Sequence, residues 1–251
     1  MTPLLSDEGR AALARLVAAD ALFGFDFDGT LAPIRPTPGE VAMDARSAAA
    51  FAALTRAMTV AVITGRGVAD VRPRLSGTPR WIVGNHGAEG LPDADPDTLA
   101  AQAAVCACWR AQLAAMGVAS SAGVVLEDKR YTLSLHYRQA PDHAAAHDTL
   151  TALVRGLQPA PQAEDGKCII NLMPAGSADK FGALQALVRA HGPDKPAFFI
   201  GDDANDETVF RQAPPGWVTV KVGLEGPTAA RFRLSGQAAV ADCLELLLRL
   251  R

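Results

Sequence analysis

The sequence predicts an α/β fold, a parallel sheet covered by helices on both faces and interrupted by a smaller inserted α+β domain. Three observations predict it. Short apolar runs alternate with helical segments near the N-terminus, and the same alternation resumes near the C-terminus. Between these stretches the order changes to α-β-β-α-β-β, which suits an antiparallel sheet with helices on one side. Finally, 251 residues with 49% hydrophobic and 20% charged side chains suffice for one large domain or two small ones, each with its own core.

The elements follow in order. Residues 7–19 read as an amphipathic helix that leads into an apolar strand at 21–27. Residues 47–56 have helical composition, 58–63 are β-branched and apolar, 68–75 are helical, and 81–83 form a short strand. In the inserted stretch, a helix at 102–116 precedes a hairpin of 123–127 with 131–138. A second helix at 142–157 precedes a strand pair at 162–165 and 167–173. The parallel pattern returns with a helix at 181–191, a strand at 197–200, a helix at 206–212, a strand at 217–222 and a closing helix at 238–250. The predicted division is a core of residues 1–95 and 177–251 around an inserted domain at 96–176.

Composition excludes several functions. Lys and Arg number 24 against 27 Asp and Glu, a net charge of −3, so the basic surface that binds a phosphate backbone is missing and no nucleic-acid partner is expected. Four cysteines are too few for a disulfide scaffold. No stretch of about 18 apolar residues is free of charges or breakers, and the start places acids before any apolar run. A cytoplasmic monomer without a membrane partner is the expectation.

The chemistry gathers at strand ends. Phe25-Asp26-Phe27-Asp28-Gly29-Thr30 sets two aspartates at the carboxyl end of the first strand, where parallel sheets bind ligands. Their alternate spacing predicts that Asp26 and Asp28 point to the same side. Carboxylates among apolar residues call for a compensating charge, and hard Mg²⁺ prefers carboxylate oxygens. A second apolar strand runs into Gly201-Asp202-Asp203-Ala204-Asn205-Asp206-Glu207, where Asp202 and Asp206 are placed to face a metal and Glu207 to support the helix N-terminus. Thr64-Gly65-Arg66, at a third strand end, offers a hydroxyl and backbone amides to phosphate oxygens. Lys180 opens a helix, where a cation invites an anionic partner.

These four segments, in this order, resemble the haloacid dehalogenase superfamily of phosphotransferases. The resemblance implies a Rossmann-like core with an α/β cap, and a mechanism in which Asp26 attacks phosphorus to form an aspartyl-phosphate. It implies that Asp28 protonates the leaving alcohol and then activates water, and that Thr64 and Lys180 hold the phosphoryl oxygens. Lys180 would also restrain Asp26. Mg²⁺ would be held by Asp26, the Asp28 carbonyl and Asp202, with Asp203 and Asp206 as nearby orienting groups and Asp206 the closer to the ion.

Within the insert, period-2 alternation puts Tyr131, Leu133, Leu135 and Tyr137 on one face and Thr132, Ser134, His136 and Arg138 on the other. The polar face is predicted to stay open. A narrower resemblance, to trehalose-6-phosphate phosphatases, rests on residues 26–34, 84–89, 127–129 with 136–138, and 201–207. It implies that Lys129, His136 and Arg138 bind disaccharide hydroxyls, with Arg66, Asn85, His86 and Glu89 nearby. The last strand of the insert carries Asn171 where that family has an acidic residue; Asn171 can still hydrogen-bond a sugar, as a neutral donor as well as acceptor. Lys180 is followed by Phe181 rather than Gly. His86 could equally serve only as a backbone partner in a Gly-flanked turn. His143, His147 and His191 read as helix-surface residues, Cys106 and Cys108 as a poor metal pair, and Cys168 and Cys243 as core thiols. Other readings remain: a sucrose 6-phosphate, mannosyl-phosphoglycerate or hexose phosphate phosphatase, a phosphosugar mutase, or a non-catalytic sugar-phosphate sensor.

Overall fold

The computed structural model describes residues 2–35, 37–118 and 121–251. Its elements run β1 (Thr2–Pro3), α1 (Asp7–Ala18), β2 (Leu22–Phe25), α2 (Ala45–Ala57), β3 (Val60–Ile63), α3 (Val68–Val71), β4 (Trp81–Val83), α4 (Pro96–Ala115), β5 (Val125–Asp128) and β6 (Leu133–His136). They continue with α5 (His143–Arg155), β7 (Gln162–Gly166), β8 (Ile169–Met173), α6 (Lys180–His191), β9 (Ala197–Gly201), α7 (Glu207–Gln212), β10 (Val218–Val222), β11 (Phe232–Leu234) and α8 (Val240–Leu250). The chain divides into two units, residues 1–92 with 178–251, and residues 93–177.

Among the described residues, the first unit holds a parallel sheet in the order β1-β11-β10-β9-β2-β3-β4. Every residue of β2, β3, β9 and β10 is buried, because helices cover both faces. Strand alternation divides the side chains between two layers. Phe23, Phe25, Phe198 and Ile200 join Leu13, Phe51 and Leu244, which belong to α1, α2 and α8. Leu22, Ile63, Ala197 and Phe199 join Leu184 and Leu187 of α6 and Phe210 of α7. Gly24 lets α6 approach: a Cβ there would press on Phe199 and Leu184. The sequence does not announce β1 and β11, which have two and three residues and contain Pro3 and Arg233; parallel pairing alongside β10 makes them strands.

Asp44 starts α2 by accepting the backbone N–H groups of Ser47 and Arg46, both at 3.0 Å; the bonds from the Ser47 N–H and from its hydroxyl at 2.7 Å, with that from Arg46, hold the carboxyl below the usual carboxylate range. Asp44→Ala should cost about 1 kcal/mol in chemical denaturation. A lowered folded-state value means this contribution is complete above the unfolded-state value near 4 and fades as pH falls through the folded one. The stability gap between wild type and variant should therefore close in acid; a gap that persists at pH 2 would contradict the carboxylate cap.

The second unit packs α4 and α5 on one face of an antiparallel sheet of order β5-β6-β8-β7. Leu133 and Leu135 of β6 and Leu172 and Ile170 of β8 pair in register and point into a core with Trp109, Leu113, Leu150 and Val154. Trp109 satisfies its indole N–H on the Pro159 carbonyl at 2.6 Å. Cys168 lies at the edge of this core rather than inside it: half-buried and packed against the cluster, it follows β7 with φ of 59° and makes the turn into β8. Burial pushes the thiols of Cys106 and Cys243 up to about 12, which leaves both unreactive. His191 is also less superficial than a surface helix residue, with its imidazole Nε2 on the Asp20 carbonyl at 2.8 Å. No helix among the described residues is long and apolar enough to cross a membrane.

Candidate active site

The strand order reverses between β2 and β9: the chain moves outward through β3 and β4 on one side, and through β10 and β11 on the other. The crevice beyond the carboxyl ends of two such strands is where open parallel sheets bind ligands. Asp26 follows β2 and Asp202 follows β9, so two distant segments meet there. The Asp26 N–H donates to the Ile200 carbonyl at 3.0 Å, which pins the end of β2 to β9.

Lys180, the first residue of α6, is 3% exposed. Its ammonium donates to Asp26 Oδ1 at 2.8 Å and to Asp206 Oδ1 at 2.7 Å. The anion that its position invites is thus supplied within the protein. Asp206 is wholly buried, and its second oxygen accepts the Asp203 N–H at 2.9 Å. Burial alone would lower the Lys180 value, but the carboxylates of Asp206 and Asp26 more than offset that and hold it protonated. Asp26 is pushed upward, chiefly by burial; Lys180 pulls the other way, and the charges of Asp206 and Asp202 add to the rise.

Asp26, Asp202 and Asp206 each bring one carboxylate oxygen within 4.8 Å of the others. One lysine cannot neutralise three carboxylates, and an oxygen-only donor set suits a hard divalent cation. Glycine makes this convergence possible. Gly29 has φ of 76°, and a Cβ there would collide with the Asp202 carboxylate; a Cβ at Gly201 would collide with that of Asp206.

Asp28 does not share the partners of Asp26. Its two oxygens take a bidentate grip from Arg66, Nε to Oδ2 and Nη2 to Oδ1, both at 2.7 Å. Strand β2 ends at Phe25, so the two-residue period that predicts a common direction no longer governs the chain there. Arg66 also donates to Asp70 at 2.7 Å, and Asp70 accepts Arg74 at 2.8 Å, a chain of alternating charge running away from the strand end. Thr64 is buried, its hydroxyl accepting the Arg66 N–H at 3.2 Å.

Residues 85–89 form a strained turn beyond β4. Asn85 and His86 have φ of 53° and 59°, adjacent left-handed positions that cost non-glycine residues on the order of 1–3 kcal/mol each. Glu89 compensates by accepting both the Val68 N–H at 2.8 Å and the Asn85 side-chain amide at 2.9 Å. Asn85 and Glu89, expected near the substrate, also bracket the turn onto the start of α3. The His86 ring lies against Gly65, where a Cβ would collide with it, and its Nδ1 is 3.4 Å from Asn205 Nδ2.

In the second unit His136 Nε2 lies 2.8 Å from Glu127 Oε2, and Lys129 Nζ is 3.6 Å from the same oxygen. The polar face of β6 is less open than the alternation predicts: Thr132 and Ser134 are wholly buried, and the Ser134 hydroxyl donates to Asn171 Oδ1 at 2.7 Å. Arg138 lies beyond the end of β6, exposed, and donates to the Lys167 carbonyl at 3.3 Å. Glu207 opens α7, where its negative charge favours the helix N-terminus as expected, and it also accepts the Ala229 N–H at 3.0 Å, tying down the loop before β11.

Two participants escape a reading of motifs alone. Glu127 is part of the segment that carries the resemblance, but only the fold brings His136 and Lys129 to it. Lys221 is a charge inside the apolar run Val218-Thr219-Val220-Lys221-Val222, an anomaly that marks a buried cation with a partner. It donates to the Asp202 carbonyl and so fixes the loop that carries a cluster carboxylate.

Residues 24–234 match the sequence model of the family described as Trehalose-phosphatase. The chain is 30% identical over 237 residues to the trehalose-6-phosphate phosphatase of Escherichia coli K12, covering 89% of this chain and 85% of that one. It is 31% identical over 230 residues to the trehalose-phosphate phosphatase of Mycobacterium ulcerans, covering 87% of this chain but 59% of that longer protein. Among solved structures, the C-terminal domain of the Candida albicans trehalose-6-phosphate phosphatase superposes with a TM-score of 0.76 at 22% identity, covering 100% of this chain and 99% of that one. A trehalose-6-phosphate phosphatase related protein gives a TM-score of 0.76 at 23% identity, covering 92% and 98%. At these identities the structural likeness speaks for the fold.

Proposed function

Because the chain belongs to the trehalose-phosphatase family, within the haloacid dehalogenase superfamily, and is a phosphatase, we propose that it hydrolyses trehalose 6-phosphate to trehalose and phosphate through an aspartyl-phosphate on Asp26. The observation that carries this reading is the buried cluster of Asp26, Lys180, Asp206 and Asp202 at the strand-order reversal. It has the charge pattern phosphoryl transfer needs, in which positioning and neutralisation outweigh covalent chemistry.

In this reading an Asp26 oxygen attacks phosphorus, and the bond to the sugar oxygen breaks as Asp28 gives that oxygen a proton. Asp28 then takes a proton from water, whose oxygen attacks the same phosphorus and releases phosphate from Asp26. Thr64 steadies the phosphoryl oxygens, and Lys180 holds Asp26 in line while offsetting its charge. Asp206, with both oxygens committed to Lys180 and Asp203, orients the lysine. Asp26, Asp202 and the Asp28 carbonyl would hold Mg²⁺, which would supply charge neutralisation between nucleophile and phosphate. Asp28 must leave the Arg66 grip to exchange protons, which frees the guanidinium for an anionic substrate.

Lys129 and His136 are the residues we assign to the sugar. Losing a charged hydrogen bond to substrate costs roughly 10- to 100-fold in kcat/KM. Lys129→Ala and His136→Ala should lower kcat/KM on trehalose 6-phosphate by about that factor relative to p-nitrophenyl phosphate; equal losses on both substrates would remove the pair from the sugar site. A panel with sucrose 6-phosphate, glucose 6-phosphate and mannosyl-phosphoglycerate tests the substrate itself. Comparable turnover of all of them would overturn the disaccharide assignment.

A further inference from the structure

We propose that Glu164, on β7, is a specificity residue that accepts hydrogen bonds from sugar hydroxyls. The proposal rests on the sugar-phosphate reading above and adds a residue to it. Strand register carries it. Across the four strands of the second sheet, Glu127 pairs with Ser134, Ser134 with Asn171, and Asn171 with Glu164. Residues directly opposite each other in neighbouring strands share a face, so these four form one polar row across the whole sheet. The opposite face is filled by Leu133, Leu135, Ile170 and Leu172 against the helices.

The middle of the row is fixed and the ends are anionic. Ser134 and Asn171 are 0% and 3% exposed, and the hydroxyl of the first donates to the amide oxygen of the second at 2.7 Å. That bond turns the amide oxygen toward Ser134 and so orients the two N–H donors away from it. Glu127 and Glu164, which only accept when ionised, stand on the two outer strands, three strand spacings or about 14 Å apart at the backbone. Donors in the centre with acceptors on both sides match a polyol, whose hydroxyls both donate and accept, and the span exceeds one hexose ring. The neighbouring acid, Asp165, points to the helix side and meets His147 at 3.2 Å. Two consecutive acids on an edge strand are thereby divided between the two faces, one holding α5 and the other completing the row.

The test compares Glu164→Gln with a double variant, Glu164→Gln plus Asn171→Glu, which moves the carboxylate one strand inward on the same face. KM and kcat are measured on trehalose 6-phosphate, sucrose 6-phosphate, glucose 6-phosphate and p-nitrophenyl phosphate. Glu164→Gln should raise KM for the best sugar phosphate about 10-fold, and its preference for that substrate over the aryl phosphate should fall by the same factor. The double variant should recover most of that preference. A Glu164→Gln preference within twofold of wild type overturns the proposal, as does an equal loss on the aryl phosphate, which would mark a merely structural role. If wild type prefers a sugar phosphate other than trehalose 6-phosphate, the trehalose assignment fails while Glu164 is judged on the preferred compound. If wild type prefers no sugar phosphate at all, both fail together.

Discussion

Asp26→Asn should abolish phosphate release from trehalose 6-phosphate, a loss on the order of 10⁴-fold or more, as expected when a covalent nucleophile is removed. The amide nitrogen and oxygen of Asn have the size of the carboxylate but carry no charge to attack phosphorus. Folding should survive. Asp26 is buried beside Asp202 and Asp206, both of which push its carboxyl upward, so a neutral amide relieves repulsion, and Lys180 keeps its bond to Asp206. The expected result is a protein that unfolds at or above the wild-type temperature and binds trehalose 6-phosphate in calorimetry with Mg²⁺, yet releases no phosphate. Turnover within tenfold of wild type would take Asp26 out of the chemistry.

Lys180→Met should fail differently, in stability as well as rate. Methionine matches the length of the lysine stem but removes the cation from Asp26 and Asp206, which are 4% and 0% exposed. Removing one partner of a buried ion pair leaves uncompensated charge and costs about 3–5 kcal/mol, or roughly 10 °C in melting temperature for a chain of this size. Added Mg²⁺ should recover part of that loss, because a cation among the carboxylates offsets the same charge. Activity should fall with or without the ion, since a thioether has no proton to donate and cannot hold the nucleophile in line. Unfolding of the variant at the wild-type temperature in the absence of Mg²⁺ would show that Lys180 does not hold the cluster together.

The two variants separate functions that one bond combines. The Asp26–Lys180 contact at 2.8 Å is a buried ion pair whose carboxylate is destabilised by its setting and whose ammonium is stabilised by it. Such an arrangement is a poor way to hold two elements together and a good way to present a reactive carboxylate in a fixed direction. Strain at Asn85 and His86 belongs to the same pattern, since left-handed non-glycine residues persist where the surroundings, here Glu89 and Gly65, over-determine them.

Much of this architecture is legible in one dimension. Strands β2, β3, β9 and β10 are buried on both faces and so are largely apolar runs, which a linear reading detects. The aspartates at their ends stand out because charge next to such runs needs a reason. The short edge strands β1 and β11 do not stand out, because a strand of two or three residues with Pro3 or Arg233 in it has no period to detect. Side-chain direction is legible only where a regular element continues. The two-residue period serves for Leu133 and Leu135 in β6; it does not extend to Asp26 and Asp28, because β2 stops at Phe25, and packing gives the two carboxylates different partners.

Fold class, family and the residue types of the candidate site follow from the chain read linearly, because each depends on local periodicity or on a contiguous motif. Which groups meet is a matter of tertiary packing. Lys180 lies 154 positions from Asp26 and 26 from Asp206, Arg66 lies 38 from Asp28, and Ser134 lies 37 from Asn171. A carboxylate's partner, and with it whether the group serves as nucleophile, clamp or bracket, is set by packing between elements far apart in the chain. Glu127 and Glu164 make the same point: 37 positions apart and on different strands, they fall into one row only through the register of the two strands between them.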